Sequence, residues 1–501
     1  MAKNPVNLIS DQSKDIMKKF LFSILICMGI NMLLVSCEKG VSQTQVSDSD
    51  SADIFYPAAT KYATILYVTQ VIERKGTINQ FADHLVLNGT GQLNWQKNIL
   101  KKGEYEMVLN YSVFEDVASV KVSNKKDTIS SPITITEGVY SEKNEWYKNN
   151  FERKLLSDKL NLTEGLNSIT LEINAPNKDF ETVIYSLELI PIDKKPAFRE
   201  QLEKAKNDRP SMDWFSSMKY GVMFHWTSQT APRTGAPKSY EEAVKAFDVA
   251  SFVEMVEKTG AEYVVFTGNH ADPHFPAPIK EWEKVHPGWT TERDLISEIA
   301  DGLKNKNIKL FLYLATHIYA KFDEVDSKEF ERINTILISE IGNHYKDKIA
   351  GYWFDGWYQS YKEHPEYDFE KLYNISKEGN PNRLLALNSW VYPIVTPWQD
   401  YWAGEIYTPD SPPNDRIIKS GPGKGLQYQA LVVLENDWVH TKQDTQIPSP
   451  RLDARELIDF LSSSDGKGPL TINLGIYQDG TIGEEAMAFM ELIKKSLANR
   501  Q

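Results

Sequence analysis

From Tyr220 to Leu497 the chain alternates short strand-like apolar runs with longer amphipathic stretches, and few folds accommodate such an alternation. The strand-like runs are Tyr220–His225, Glu262–Thr267, Ile308–Ala315, Ile349–Asp355, Leu384–Asn388, Trp402–Ile406, Tyr428–Glu435 and Leu470–Leu474. Helical periodicity falls between or after them, at Val249–Lys258, Thr291–Lys304, Ser327–His344, Asp368–Lys377 and Gly483–Leu497. Eight strands over roughly 300 residues match a (β/α)8 barrel, whose parallel strands need helical crossovers. The connection from the fifth run to the sixth is short for a full helix. A doubly wound parallel sheet is the alternative, but no G-x-G-x-x-G turn follows the first strand.

The preceding part of the chain has a different rhythm. Between residues 53 and 193 short alternating runs such as Gly103–Tyr111, Ala118–Val122, Asn167–Ile173 and Thr182–Pro191 are separated by Gly, Asn and Lys clusters. This predicts an antiparallel β-sandwich, joined to the barrel region 194–501 by a charged helix at Lys194–Arg209. Nearer the start, Lys18 and Lys19 precede an apolar run, Phe20–Val35, that ends in Leu34-Val35-Ser36-Cys37. Sixteen residues are short for a membrane helix and suit a secretory signal. The ending resembles a bacterial lipobox. Residues 1–37 therefore read as a lipoprotein signal with Cys37 as the acylated residue, and the Ser-, Gln- and Asp-rich residues 38–52 as a tether. An exported protein held at a membrane by its lipid is the expectation.

Composition narrows the function. A net charge of −13 opposes the basic stripes that phosphate backbones require, so no nucleic acid partner is expected. Ten of the 12 Trp fall between residues 214 and 438, and flat aromatic faces beside carboxylates suit a sugar or glycan. In a barrel the active site lies at the C-terminal strand ends. Those positions hold His225-Trp226, Asn269-His270, Tyr313, Trp353-Phe-Asp355 with Trp357, Asn388, Trp402 with Glu405, Glu435 to Trp438, and Asn473. A glycosidase needs two carboxyls. Asp355 and Glu405 form the natural pair, with Glu435 competing for the acid role. His225, His270, Asp272, His274 and His317 could in principle gather round zinc, but their spacing matches no zinc motif. No metal or other cofactor is expected.

These residues resemble glycoside hydrolase family 29, the α-L-fucosidases. The likeness is carried by Trp214-Phe215, Lys219-Tyr-Gly-Val-Met-Phe-His-Trp226, Gly260-Ala-Glu-Tyr-Val-Val-Phe-Thr267, Arg293-Asp-Leu295, Trp353-Phe-Asp-Gly356, Thr471-Ile-Asn-Leu-Gly475 and Asp479-Gly-Thr-Ile482. It implies a retaining exo-glycosidase with Asp355 as nucleophile. It also implies that His225 and His270 hold sugar hydroxyls. The family's acid occupies different segments in different members: Glu405 resembles one arrangement, whereas Tyr428-Gln429 stands where another subgroup has Trp-Glu. The paired His-His of the family becomes His270-Ala271. Those two departures motivate an alternative, a glycan-binding surface lipoprotein that has lost hydrolysis.

Overall fold

The computed structural model describes residues 63–500, apart from 82–83, 114–117, 134–151, 317–324, 358–359, 361–362, 365–366, 389–395, 406–416, 418–424, 428 and 463–468. The apolar run, Cys37, the tether, His317 and Tyr428 lie outside the described residues.

The N-terminal half is wholly antiparallel. Its strands are β1 Thr64–Tyr67, β2 Glu73–Gln80, β3 Leu85–Ile99, β4 Gly103–Val113, β5 Ala118–Ser123, β6 Thr128–Ile133, β7 Glu152–Leu155, β8 Leu160–Leu162, β9 Gly165–Asn174 and β10 Glu181–Pro191. They hydrogen-bond in the order β6-β5-β9-β3-β10-β4-β7, with β1 on β10, β2 on β3 and β8 on β4. The expected two-layer sandwich is thus one continuous sheet, because β3 changes partner along its length. Its residues 85–88 pair with β10 and its residues 91–99 with β9. Gly89 sits at the change with φ +74°, and a Cβ there would lie 3.0 Å from the Lys178 backbone. Strict alternation along β9 sends Ile169, Leu171 and Ile173 into a core shared with Leu93, Met107, Leu109 and Leu187. Trp95 belongs to that core, its indole N–H donating to Tyr67 O at 2.8 Å.

The second half is parallel: β11 Tyr220–Phe224, β12 Tyr263–Asn269, β13 Lys309–Ala315, β14 Gly351–Asp355, β15 Leu384–Leu387, β16 Ala430–Val433 and β17 Leu470–Asn473, in the order β15-β14-β13-β12-β11-β17-β16. Four crossover helices start on an aspartate whose side chain accepts a backbone N–H of the first turn: Asp248, Asp294, Asp326 and Asp368. The motif Arg293-Asp-Leu295 is accordingly structural. Asp294 caps its helix while Arg293 Nη1 donates to the Val244 and Phe247 carbonyls at 2.7 and 2.8 Å. A helix at Ala454–Ser462, between β16 and β17, adds to the expected ones and buries Leu457, Ile458 and Phe460. The sixth expected strand, Trp402–Ile406, is irregular over its described residues, 402–405. Tyr401 and Glu405 make isolated parallel bridges to Gln427 and Leu431, and Asp400 N–H donates to Leu385 O at 2.8 Å.

Alternation along these strands divides their side chains into two sets. Met223, Tyr263, Val265, Phe311, Tyr313, Ala315, Trp353, Leu384, Ala386, Tyr401, Ala403 and Leu431 fill one cluster on the inner face. Val222, Phe224, Val264, Phe266, Leu310, Leu312, Tyr352, Phe354, Leu385, Val432 and Ile472 pack outward against the helices. Phe215 adds to the inner cluster, its ring 5.5, 5.4 and 5.1 Å from those of Tyr263, Phe311 and Tyr401.

The same parity corrects one expected sugar contact. Trp226 has the parity of Phe224, so it points outward, is 1% exposed, and packs on Tyr240, Phe247 and Phe266 with its indole N–H on Gln478 O. Trp226→Ala should therefore cost about 3–5 kcal/mol in urea unfolding, the range for a buried Trp truncation. Trp226→Phe should leave KM for any sugar substrate unchanged; a several-fold rise in KM in folded Trp226→Phe would return this ring to the site.

Candidate active site

Inward parity at the C-terminal strand ends brings the chemistry together. Asp355 ends β14, and its backbone oxygen is held by Thr316 through N–H at 3.2 Å and Oγ1 at 2.8 Å. Tyr313 Oη donates to Asp355 Oδ2 at 2.5 Å. Asn388, one residue past β15 and 3% exposed, donates one amide N–H to Asp355 Oδ1 at 2.9 Å and the other to Glu405 Oε2 at 3.0 Å. Two oxygens held at 2.9 and 3.0 Å from one nitrogen stand no more than about 6 Å apart, which admits the roughly 5–5.5 Å of retaining carboxyl pairs and falls short of the roughly 6.5–9.5 Å of inverting ones.

The two carboxyls differ in environment. Burial pushes Glu405 up to about 8, reinforced by the charge of Asp355 and opposed by the Asn388 hydrogen bond. With Oε2 taken by the amide, Oε1 is left to carry the proton. Gly404 lets this segment approach its neighbour, since a Cβ there would stand 1.8 Å from Gln429 O. The competitor, Glu435, is also raised, to about 7, by burial. Its Oε2 accepts from Gly475 N–H at 2.9 Å, and Asp355 is not among the charges that perturb it. Of the two, Glu405 is the carboxyl that shares an amide and a field with Asp355.

Two imidazoles complete the rim. The rings of His225 and His270 are 5.1 Å apart, and His225 meets Tyr313 at 4.9 Å and Trp438 at 5.2 Å, all edge-on. His225 Nδ1 lies 2.7 Å from Asn473 Oδ1, while Asn473 Nδ2 donates to Trp438 O at 3.3 Å. A carbonyl accepts only, so the Asn473 amide must face it with nitrogen. His225 Nδ1 therefore carries the proton, and Nε2 presents a lone pair. Burial, then the proximity of His270, drives His225 down to about 3, and burial lowers His270. Both rings are neutral at ordinary pH, and the Nε2 lone pair of His225 is an acceptor suited to a hydroxyl.

The expected aromatic wall is partly redrawn. Trp353 is inside, stacked on Tyr313 at 5.2 Å. Trp357 packs outward on Tyr367 and Phe369, and Trp402 packs against the helix-side core. Trp438, not singled out individually from sequence, takes their place beside His225. The bridging role of Asn388 and the orienting role of Asn473 were equally invisible, although both sit at the ends of apolar runs. Asp272 turns away to His274 Nδ1 at 2.9 Å and to Ser228, and no group of three metal-binding side chains occurs among the described residues. Gln429 is not on the rim. It precedes β16 at the other end of the sheet, donating to Thr471 Oγ1 at 2.8 Å beside the Tyr263 hydroxyl. It cannot stand in for a rim acid.

A carboxyl pair bridged by an amide and ringed by neutral imidazoles and indoles defines a glycoside hydrolase type of site. The family model for α-L-fucosidases matches residues 238–499, more than half of the sequence, and the chain belongs to that family, glycoside hydrolase family 29. The tissue α-L-fucosidase of Mus musculus is 23% identical over 191 residues, which are 30% of this chain and 41% of that protein. An α-L-fucosidase of Branchiostoma floridae is 22% identical over 335 residues, 55% of this chain and 68% of that protein. The chain spans less than half the length of the first curated relatives it matches. Among solved structures, the α-L-fucosidase AlfC of Lactobacillus casei aligns with TM-score 0.43 and 19% identity over 58% of this chain and 99% of that one. An α-L-fucosidase of Bacteroides thetaiotaomicron aligns with TM-score 0.42 and 17% identity over 57% and 72%.

Asn473→Asp should place a negative charge on the His225 N–H and raise that imidazole by at least one pH unit, turning Nε2 into a donor at acidic pH. Histidine NMR titration reads this directly, with KM rising as pH falls. An unmoved His225 resonance would refute the assigned tautomer.

Proposed function

We propose that this chain is a retaining exo-α-L-fucosidase, exported and lipid-anchored through Cys37, acting on terminal α-L-fucose or a configurationally related sugar of a glycan. The observation that carries the reading is the Asn388 amide joining Asp355 to Glu405. In this reading the parallel sheet is a (β/α)8 barrel whose sixth strand is the irregular segment at 401–405. The N-terminal sheet, 53–193, accompanies the catalytic region 194–501.

The chemistry follows from the geometry. Asp355 attacks the anomeric carbon while Glu405 gives its proton to the departing glycosidic oxygen, leaving a glycosyl ester on Asp355. Glu405, now a carboxylate, takes a proton from water, whose oxygen displaces Asp355 from the same carbon. Two inversions give net retention. The neutral imidazoles of His225 and His270 accept sugar hydroxyls without competing with Glu405 as acids, and Trp353 and Trp438 supply apolar faces.

The test is release of sugar from an aryl α-L-fucoside by the full chain, followed by NMR, with an aryl α-galactoside alongside. Fucose should appear first as its α anomer. The β anomer first, or no release from folded protein, would overturn the proposal. Asp355→Asn should lower kcat by about three orders of magnitude or more; unchanged turnover would remove the nucleophile.

The pH profile tests the acid separately. Glu405 must be protonated to act, so kcat/KM should hold below about 8 and then fall about tenfold per pH unit. Glu405→Gln should abolish that limb. A limb that survives in Glu405→Gln would assign the acid to another group.

A further inference from the structure

The segment that delivers Glu405 is held differently from the other strands. Over its described residues its main chain has few ladder bonds: Asp400 N–H to Leu385 O at 2.8 Å, Gln427 N–H to Asp400 O at 3.4 Å, Trp402 N–H to Gln427 O at 3.0 Å, and Leu431 N–H to Gly404 O at 2.7 Å. Side chains do what a ladder does elsewhere. The Asp400 carboxylate, 1% exposed, accepts from Leu385 N–H at 2.8 Å, Tyr373 Oη at 2.7 Å and Lys377 Nζ at 2.5 Å. Arg209, the residue that ends the helix Lys195–Asp208, spreads its guanidinium over three backbone carbonyls. Nε donates to Gln399 O, Nη1 to Gly425 O and Nη2 to Pro397 O, each at 2.9 Å. Further back on that helix, Gln201 Oε1 accepts the indole N–H of Trp398 at 3.1 Å.

We propose that Arg209 is a positioning residue for Glu405, and that the helix leading out of the N-terminal sheet thereby fixes the acid of the active site. The proposal rests on the reading of Glu405 as the acid. Its logic is mechanical. Gln399 and Pro397 lie at the entry of the segment, and Gly425 lies on the approach to β16. One planar group with donors in fixed directions therefore locks two neighbouring segments in register. Six residues of main chain, from Gln399 onward, carry that register to Glu405. Where regular strands have a ladder to resist sliding, this one has the guanidinium and the Asp400 carboxylate. A slip of about 1 Å at the entry would reach Glu405 and loosen its contact with Asn388, which can cost about 10²-fold in a proton-transfer step. Lysine cannot replace the fork, because a single ammonium reaches three divergent carbonyls poorly.

The experiment compares two α-L-fucosides in the full chain, one with a 2-chloro-4-nitrophenyl leaving group and one with a sugar leaving group. The first departs without protonation and the second needs an acid, so a misplaced Glu405 slows only the second. Arg209→Lys, with Gln201→Leu as a milder variant should Arg209→Lys fail to fold, is assayed beside Glu405→Gln, with melting curves for each. Arg209→Lys should lose about 10- to 100-fold in kcat/KM on the disaccharide and less than about threefold on the aryl fucoside, with a shifted alkaline limb in the pH profile. Gln201→Leu should move both readouts in the same direction and by less. Equal losses on the two substrates, in folded Arg209→Lys, would overturn the proposal while Glu405→Gln still shows the selectivity. No selectivity in Glu405→Gln would instead overturn the assignment of the acid, and the role given to Arg209 with it.

Discussion

In a parallel strand successive side chains leave on opposite faces, and the site of this protein depends on that two-residue period in β11, β14 and β15, while on β12 a register shift between Thr267 and Asn269 breaks it just before His270. On β11 it sends Met223 and then His225 inward. On β14 it does the same for Trp353 and Asp355, and on β15 for Leu384, Ala386 and Asn388. The residues between them, Phe224, Phe354 and Leu387, build the helix-facing core. A one-residue slip in any strand would exchange a reacting group for a core residue, so burial of the outer set fixes the position of the inner set. The apolar inner cluster below and the polar rim above are successive layers of one pattern, with Phe215 packed among the rings of the lower layer.

Electrostatics then sets the state of Glu405. Asp355 and Glu405 touch the same amide, and Glu405 is pushed upward because its burial and the charge of Asp355 both penalise ionisation. The imidazoles point the opposite way in charge and the same way in cause: burial removes their protons as it retains that of Glu405. One proton is therefore held on Glu405, across the Asn388 amide from Asp355. A charged histidine beside Asp355 would pair with the carboxylate and weaken its push on Glu405. The Asn473 amide, anchored on Trp438 O, prevents this by satisfying His225 without charging it.

What could be read from sequence follows from the same period. Regular strands and capped helices obey local rules, and β11 to β15, β17 and the helices begun by Asp248, Asp294, Asp326 and Asp368 were placed within a few residues. Asp355 was legible because a carboxylate directly after Gly351-Tyr-Trp-Phe is poorly placed for an ordinary surface role. The aromatic wall was misread where proximity to a strand end was weighed without parity. Trp226 is one residue from His225 and faces the other way, and Trp357 lies past the strand, where the chain has turned into the helix layer. Gln429 was misread because a motif position was judged before the strand start at Ala430 was known. Asn388 and Asn473 stood among the strand-end residues, but nothing local distinguished what each does. Their roles are relations between residues far apart in the chain.

The sixth segment shows why a site residue can sit on the least regular element. A central strand bonded on both sides leaves no space between its neighbours, whereas two isolated bridges allow Glu405 to be set beside Asn388 independently of a ladder. Such freedom must be removed by other contacts, or Glu405 would sample many positions. Here that constraint comes from directional polar groups: the buried Asp400 carboxylate with three donors, and the half-buried Arg209 guanidinium with three carbonyls. A charged side chain is costly to bury unless its hydrogen bonds are met, and for the same reason it tolerates few alternative geometries once they are. In the regular strands the apolar alternation and the ladder fix register, and in this segment the directional hydrogen bonds of Arg209 and Asp400 do so for Glu405.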